Sequence, residues 1–141
     1  METKFDFKSS PCTSIEQSKR LLALGLKKET ADMVHCPLHM SEEHIYYLDP
    51  EVLIGSLRES VVANDEGYED YIPAWSLSRI RELLKNSQVT LSFFEDGDYV
   101  VVERYGVFQN ILDQRVDMWD NLCDAFQYLI TEGYFNKEYF V

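Results

Sequence analysis

Basic residues are scarce in this chain. Lysine and arginine number 13 against 25 aspartates and glutamates, for a net charge of −12 at pH 7. A surface of that sign repels phosphate backbones, whose binding draws on released counterions and protein cations, so direct nucleic-acid binding is not expected. Cysteine is also sparse. Cys12, Cys36 and Cys123 are odd in number and have no framework spacing, which argues against a disulfide scaffold. Reduced thiols suit the cytosol. No run approaches the roughly 20 apolar residues of a membrane span, and Met1 to Asp6 lack the apolar core of a secretion signal. The expectation is a cytoplasmic protein. Glycine-rich phosphate cradles are missing, both G-x-G-x-x-G and the Walker type. Residues 64–70 carry oxygen ligands but not in the order of an EF-hand loop. No cofactor is implied.

What is present reads as architecture. At 141 residues the chain fits one domain, large enough to bury roughly 70% of its unfolded surface without a staple. Residues 89–95 and 98–105 are rich in β-branched and aromatic side chains. Between them lies Asp96-Gly97, a pair favoured in type I′ turns because both central residues need positive φ. The resulting register gathers Val89, Leu91, Phe93, Val100 and Val102 on one apolar face. Helical spacing follows near 117–132, where Trp119, Leu122, Cys123, Phe126, Leu129 and Ile130 share a face. Asp117 is its expected N-cap, and Gly133 its left-handed stop, with Tyr134 folding back on Leu129. Asp124 and Gln127 fall on the solvated side. A helix near 76–86 buries Leu77, Ile80, Leu83 and Leu84, after an extended Tyr71-Ile72-Pro73.

In the N-terminal third, Thr13-Ser14-Ile15-Glu16 reads as a capping box with Thr13 as N-cap. It opens a helix near 14–24 that Gly25 ends and Leu26 seals against Leu21. Residues 31–35 and 44–48 read as short strands. Asp49-Pro50-Glu51 reads as an N-cap with proline at the first helical position, leading a short helix through Leu53, Ile54 and Leu57. The expected fold is therefore α+β over residues 1–141. A small antiparallel sheet, including the 89–95/98–105 hairpin, packs against helices near 14–24, 76–86 and 117–132.

The runs YIPAWSLSRIRELL, SIEQSKRLLALGLKKETADMV and GYFNKEY together resemble a family of small acidic, uncharacterised proteins of bacterial mobile elements and phages. Its marks are an Ile-Pro-Ala signature with a leucine-rich helix, a strand pair and a closing helix. The resemblance covers about two-thirds of the chain and is weakest over residues 37–70. Its motifs are structural, so it implies an origin and supplies no catalytic residue.

Two clusters are candidates for function. All three histidines, His35, His39 and His44, lie beside Cys36. Cys36, His39 and His44 offer thiolate and imidazole ligands of the kind zinc prefers, although C-x2-H-x4-H matches no closed zinc module. A polar connecting loop with incidental histidines explains the same residues. A Cys36 nucleophile activated by His35 or His39 would need a third, orienting group, and none is visible. The second cluster is acidic and aromatic. Residues 41–70 hold nine acids against Arg58 alone, a balance of −8. Around them lie Tyr46, Tyr47, Glu66, Tyr68, Glu69, Asp70, Tyr71 and Trp75. Tyrosine and tryptophan are enriched at binding hot spots, and they are also ordinary core residues. Tyr134, Phe135, Tyr139 and Phe140 are expected to dock on the protein's own helices.

These features favour a non-catalytic interaction or regulatory module whose partner is another protein with a basic surface. Two alternatives stand beside it. One is a DNA mimic or anti-defence factor. The other is a zinc protein centred on residues 35–44.

Overall fold

A computed structural model describes residues 10–39, 45–85, 101–104, 107–110 and 118–141. The architecture is α+β, as the sequence pattern implies. Among the described residues, helices α1 (Ile15–Ala23), α2 (Gly55–Ala63), α3 (Leu77–Lys85) and α4 (Met118–Thr131) accompany seven short strands. Strands β1 (Met33–His35), β4 (Glu51–Val52) and β5 (Ile72–Ala74) form an antiparallel sheet in the order β4-β1-β5. Strands β2 (Pro37–His39) and β3 (Ile45–Tyr47) pair separately, as do β6 (Val101–Arg104) and β7 (Val107–Asn110). Pro73 can sit in β5 because that strand lies at a sheet edge, where a missing N–H breaks no ladder.

The core gathers around Trp75, which is fully buried. A buried indole N–H needs an acceptor, and Thr30 Oγ1 supplies it at 2.9 Å. The Trp75 backbone N–H donates to Thr13 Oγ1 at 3.1 Å, and its carbonyl accepts from the Thr13 N–H at 3.0 Å. One residue thus ties the entry to α1, the 3-10 turn Lys28–Thr30 and the start of α3. Leu21, Leu26, Val34, Val61, Ile80, Leu84, Leu122, Phe126 and Leu129 pack in the same cluster. Two arginines seal the end of the 3-10 turn. Arg58 of α2 donates to the carbonyls of Glu29 and Ala31, and Arg79 of α3 donates to that of Thr30. Three successive carbonyls are satisfied without a ladder partner, as buried backbone requires.

Helix α1 starts one residue later than the capping-box reading places it. Ser14, not Thr13, is the N-cap, and it forms the reciprocal box with Gln17 rather than Glu16. Thr13 is unavailable because its hydroxyl, wholly buried, bonds Ser18 Oγ and the Trp75 N–H. The helix ends as expected. Gly25 adopts φ +103°, Gly25 N–H reaches Leu22 O, and Leu26 N–H reaches Leu21 O. The same double closure ends α4 at Gly133, with Tyr134 N–H on Leu129 O at 2.8 Å. Helix α3 buries Ile80, Leu83 and Leu84, and Ser76 caps it by accepting from Arg79 N–H. Its far end, near Asn86, lies outside the described residues.

Helix α4 buries Leu122, Cys123, Ala125, Phe126 and Leu129. Its polar side is not simply solvated. Arg20 of α1 bonds Asp124 Oδ1 at 2.5 Å and Gln127 Oε1 at 2.8 Å, and Gln17 Nε2 reaches Asp120 Oδ1 at 3.0 Å. A pair as exposed as Arg20–Asp124 contributes at most about 1 kcal/mol. Each buried leucine or phenylalanine of α4 contributes about 1.5–3 kcal/mol, so the apolar stripe dominates and the polar bonds set the angle. The C-terminal aromatics dock as expected, with Phe135 against Phe126 at 5.1 Å between ring centres.

One other expectation changes. Asp49-Pro50-Glu51 does not open a helix. Residues 51–52 form β4, and α2 begins at Gly55 with Ile54 as N-cap. The exposed acidic end of β4 gains ladder bonds with β1, while the helix waits for its apolar residues. The expected hairpin of 89–95 with 98–105 is described only in part. Residues 89–95 and the turn at 96–97 lie outside the described residues. Within 98–105, Val101–Arg104 is a strand, and its described partner is Val107–Asn110. That second strand was not read from the sequence.

Thr30→Val should leave the buried indole N–H of Trp75 without an acceptor, at a cost of about 1–3 kcal/mol. The urea midpoint should fall with an unchanged m-value. Gly25→Ala forces a left-handed φ on a residue with a Cβ, at about 1–2 kcal/mol, and should lower the midpoint comparably. Phe140 stands 3.7 Å from the added Cβ, an ordinary contact, so strain rather than overlap drives the loss.

Candidate functional site

Two members of the histidine cluster, His35 and Cys36, take different partners. His35 is buried, and its Nε2 lies 2.9 Å from the Thr13 carbonyl oxygen, toward α1. Cys36, at the bend between β1 and β2, donates its thiol hydrogen to Glu51 Oε1 at 2.9 Å. His39 stands at the far end of β2, paired with Ile45, and His44 lies outside the described residues. Among the described residues no group of three histidine, cysteine or acidic side chains converges.

The Cys36 thiol is pushed up to about 12, first by burial and then by its bond to the Glu51 carboxylate and that group's charge. Reactive and metal-binding cysteines need the opposite surroundings, with positive charge that lowers the thiol into the thiolate range. Burial and then Asp32 push Cys12 up to about 11. Both thiols are therefore held as neutral donors at pH 7, in the manner of small apolar residues.

The aromatic-acidic cluster is partly assembled. The Tyr47 hydroxyl donates to the Asp70 carbonyl at 3.2 Å and joins the β2–β3 hairpin to the 64–71 loop. Tyr68 and Tyr71 pack ring on ring at 4.9 Å. The Tyr71 hydroxyl is raised by burial first, then by Cys36, Tyr68 and Glu51, which places the loop beside the Cys36–Glu51 pair. Glu66 and Glu69 are exposed, and Glu69 Oε2 accepts the Gly67 N–H at 3.0 Å, bracing the loop. Tyr46 is 57% exposed. Trp75 does not belong to this surface, because its indole is wholly buried on Thr30. The tryptophan was read as a possible contact residue, and the core claims it instead.

The sequence reading also missed the apolar part of this surface. Leu38, Ile45, Leu48, Val52 and Ile54 are all exposed, as is Tyr46. Among the described residues, six of the eight exposed large hydrophobic side chains thus lie within residues 38–54. Leu38 and Tyr46 are cross-strand partners in the β2–β3 pair, and Leu48 follows Tyr46 by two residues, on the same side of the strand. Hydropathy alone does not separate such residues from core ones. The signal that could have found them is the closeness of 45–54 to so many acids.

The local charge is not neutralised from within. Arg58 is the single base of residues 41–70, and its guanidinium is spent on the carbonyls of Glu29, Ala31 and Leu53. Among the described residues no helix is long and apolar enough to cross a membrane. No family model matches the chain, and no curated protein or solved structure is significantly similar to it.

Thiols with a raised folded-state pKa bind more protons in the native than in the unfolded chain above pH 9. Their contribution is fully present below pH 9 and falls as pH rises toward 12, by up to about 1.4 kcal/mol per pH unit for each thiol. The stability gap between wild type and Cys36→Ala should therefore narrow between pH 9 and 11 in urea titrations. A gap that does not change with pH would show that the thiol is not held protonated.

Proposed function

We propose that this protein is a non-catalytic interaction module, and that its docking face is the β2–β3 hairpin with β4 and the 64–71 loop. The supporting observation is the concentration of exposed apolar side chains, Tyr46, Leu48, Val52 and Ile54, within the segment of greatest negative charge, with Leu38 paired to Tyr46 across the hairpin. Apolar patches rimmed by polar residues mark association sites in soluble proteins. Tyrosine at the centre and carboxylates at the rim match the usual anatomy of such a face.

Charge complementarity selects the partner. Nine acids with one committed base leave a field that attracts a basic surface and raises its rate of encounter. The partner in this reading is a protein that presents lysine or arginine around an apolar anchor. A DNA mimic would display carboxylates in duplex-like rows. The leucines and Tyr46 among the acids favour a protein-binding face over such a mimic. The resemblance of YIPAWSLSRIRELL and its companion runs supports an origin among small accessory proteins of mobile elements and phages.

The test is affinity capture from the native host with three baits: wild type, Tyr46→Ala with Leu48→Ala, and Glu66→Lys with Glu69→Lys. Loss of exposed anchors of this kind costs about 2 kcal/mol or more at a hot spot, so the first variant should bind its partner at least about tenfold more weakly. The charge-reversed bait should also lose it, and the wild-type complex should weaken with added salt. Recovery of the same partners at equal yield by all three baits would refute the docking face.

A further inference from the structure

The strand that borders the docking face ends its sheet. Among the described residues β4 pairs with β1 alone. Its register shows which backbone groups are left over. The Leu53 N–H donates to the Asp32 carbonyl at 2.9 Å. Bonded groups alternate along an antiparallel strand, so the N–H and C=O of Val52 point away from β1. Val52 is 56% exposed and Ile54 is 67% exposed. An exposed apolar edge of this kind is a template for a further strand.

Side-chain alternation sets what that strand must carry. Val52 and Ile54 stand two positions apart in extended backbone and share the outer face. Leu53 is buried beneath them. Glu51 falls on the side of Leu53, where it accepts from the Cys36 thiol. Tyr71, at the end of the loop that carries Glu66 and Glu69, lies close to Glu51. One face of the edge is therefore apolar and the other is acidic.

We propose that the partner segment enters as an added strand on β4, with basic and apolar residues in alternation. This rests on the docking face proposed above and specifies how a partner engages it. In strand addition the main chain supplies affinity and alternate side chains supply selectivity. The segment pairs with the Val52 backbone, and its apolar residues line up with Val52 and Ile54. Its lysines or arginines face Glu51 and the 64–71 loop. A second copy of this chain is a poor occupant, because at a net charge of −12 its own edge would set carboxylate against carboxylate, and like charges placed opposite are destabilising. An amphipathic helix would cover the apolar side chains and leave the Val52 backbone groups unpaired.

The probes are short capped peptides: alternating Lys-Val, the same peptide N-methylated along one edge, and a helix-forming amphipathic Lys-Leu peptide. Each is titrated into the full chain by calorimetry, with amide chemical shifts to locate binding. The Lys-Val peptide should bind saturably, shift the Val52 and Ile54 amides and weaken with added salt. Its N-methylated form keeps every side chain and loses the paired donors. It should bind at least about fivefold more weakly, the worth of a backbone hydrogen bond. Val52→Pro removes a donor that β1 does not use, a change that edge strands tolerate, and should weaken the Lys-Val peptide to a similar extent. Equal binding of the N-methylated form, tighter binding of the helical peptide or no saturable binding of the Lys-Val peptide would overturn strand addition. Capture of the native partner separates the two readings. A partner lost by Tyr46→Ala with Leu48→Ala and kept in full by Val52→Pro would leave the docking face standing and remove strand addition.

Discussion

The indole N–H of Trp75 organises this fold. Its large apolar ring gains by leaving water, and once buried its N–H must find an acceptor. Thr30 supplies it from the 3-10 turn, while Thr13 pairs with the Trp75 backbone on both sides. Three segments that are far apart in sequence meet at one residue. The consequences spread from there. Thr13 is drawn inward and yields the N-cap to Ser14. The 3-10 turn is fixed, and its carbonyls then receive Arg58 and Arg79.

That use of the arginines links fold to function. Arg58, the single base of residues 41–70, is anchored on backbone carbonyls, and the segment keeps its balance of −8. Arg79 is held by the Thr30 carbonyl, and its buried Nε has no hydrogen-bond partner among the described residues. Each guanidinium stabilises the same turn. At Cys36, burial first and then the Glu51 carboxylate beside it favour the neutral thiol.

Legibility from sequence followed the range of the interactions. The glycine closures at Gly25 and Gly133, the buried stripes of α3 and α4, and the first core strand depend on residues within a turn or two of each other, and all were readable. The N-cap slipped by one residue because Thr13 and Ser14 are equivalent as local caps. Only the distant Trp75 distinguishes them. Asp49-Pro50-Glu51 carries a sound helix-start pattern, yet pairing with β1 made residues 51–52 a strand. Of the residues named for the acidic-aromatic face, Tyr47 meets Asp70 and Tyr68 meets Tyr71. Trp75 was assigned to the wrong side of the surface, and the exposed leucines were not seen, because an apolar residue looks the same in sequence whether it is covered or bare.

Local spacing and composition alone determined the α+β class, the glycine-closed helix ends, the core position of Cys123 and the strongly negative net charge. Each of these follows from backbone sterics or from the sum of charges, and needs no knowledge of what lies across the core. Tertiary structure decided which apolar side chains stay in water, which arginines are consumed by carbonyls and which thiol meets a carboxylate. Those outcomes depend on contacts between segments tens of residues apart, where burial and hydrogen-bond satisfaction override local preference.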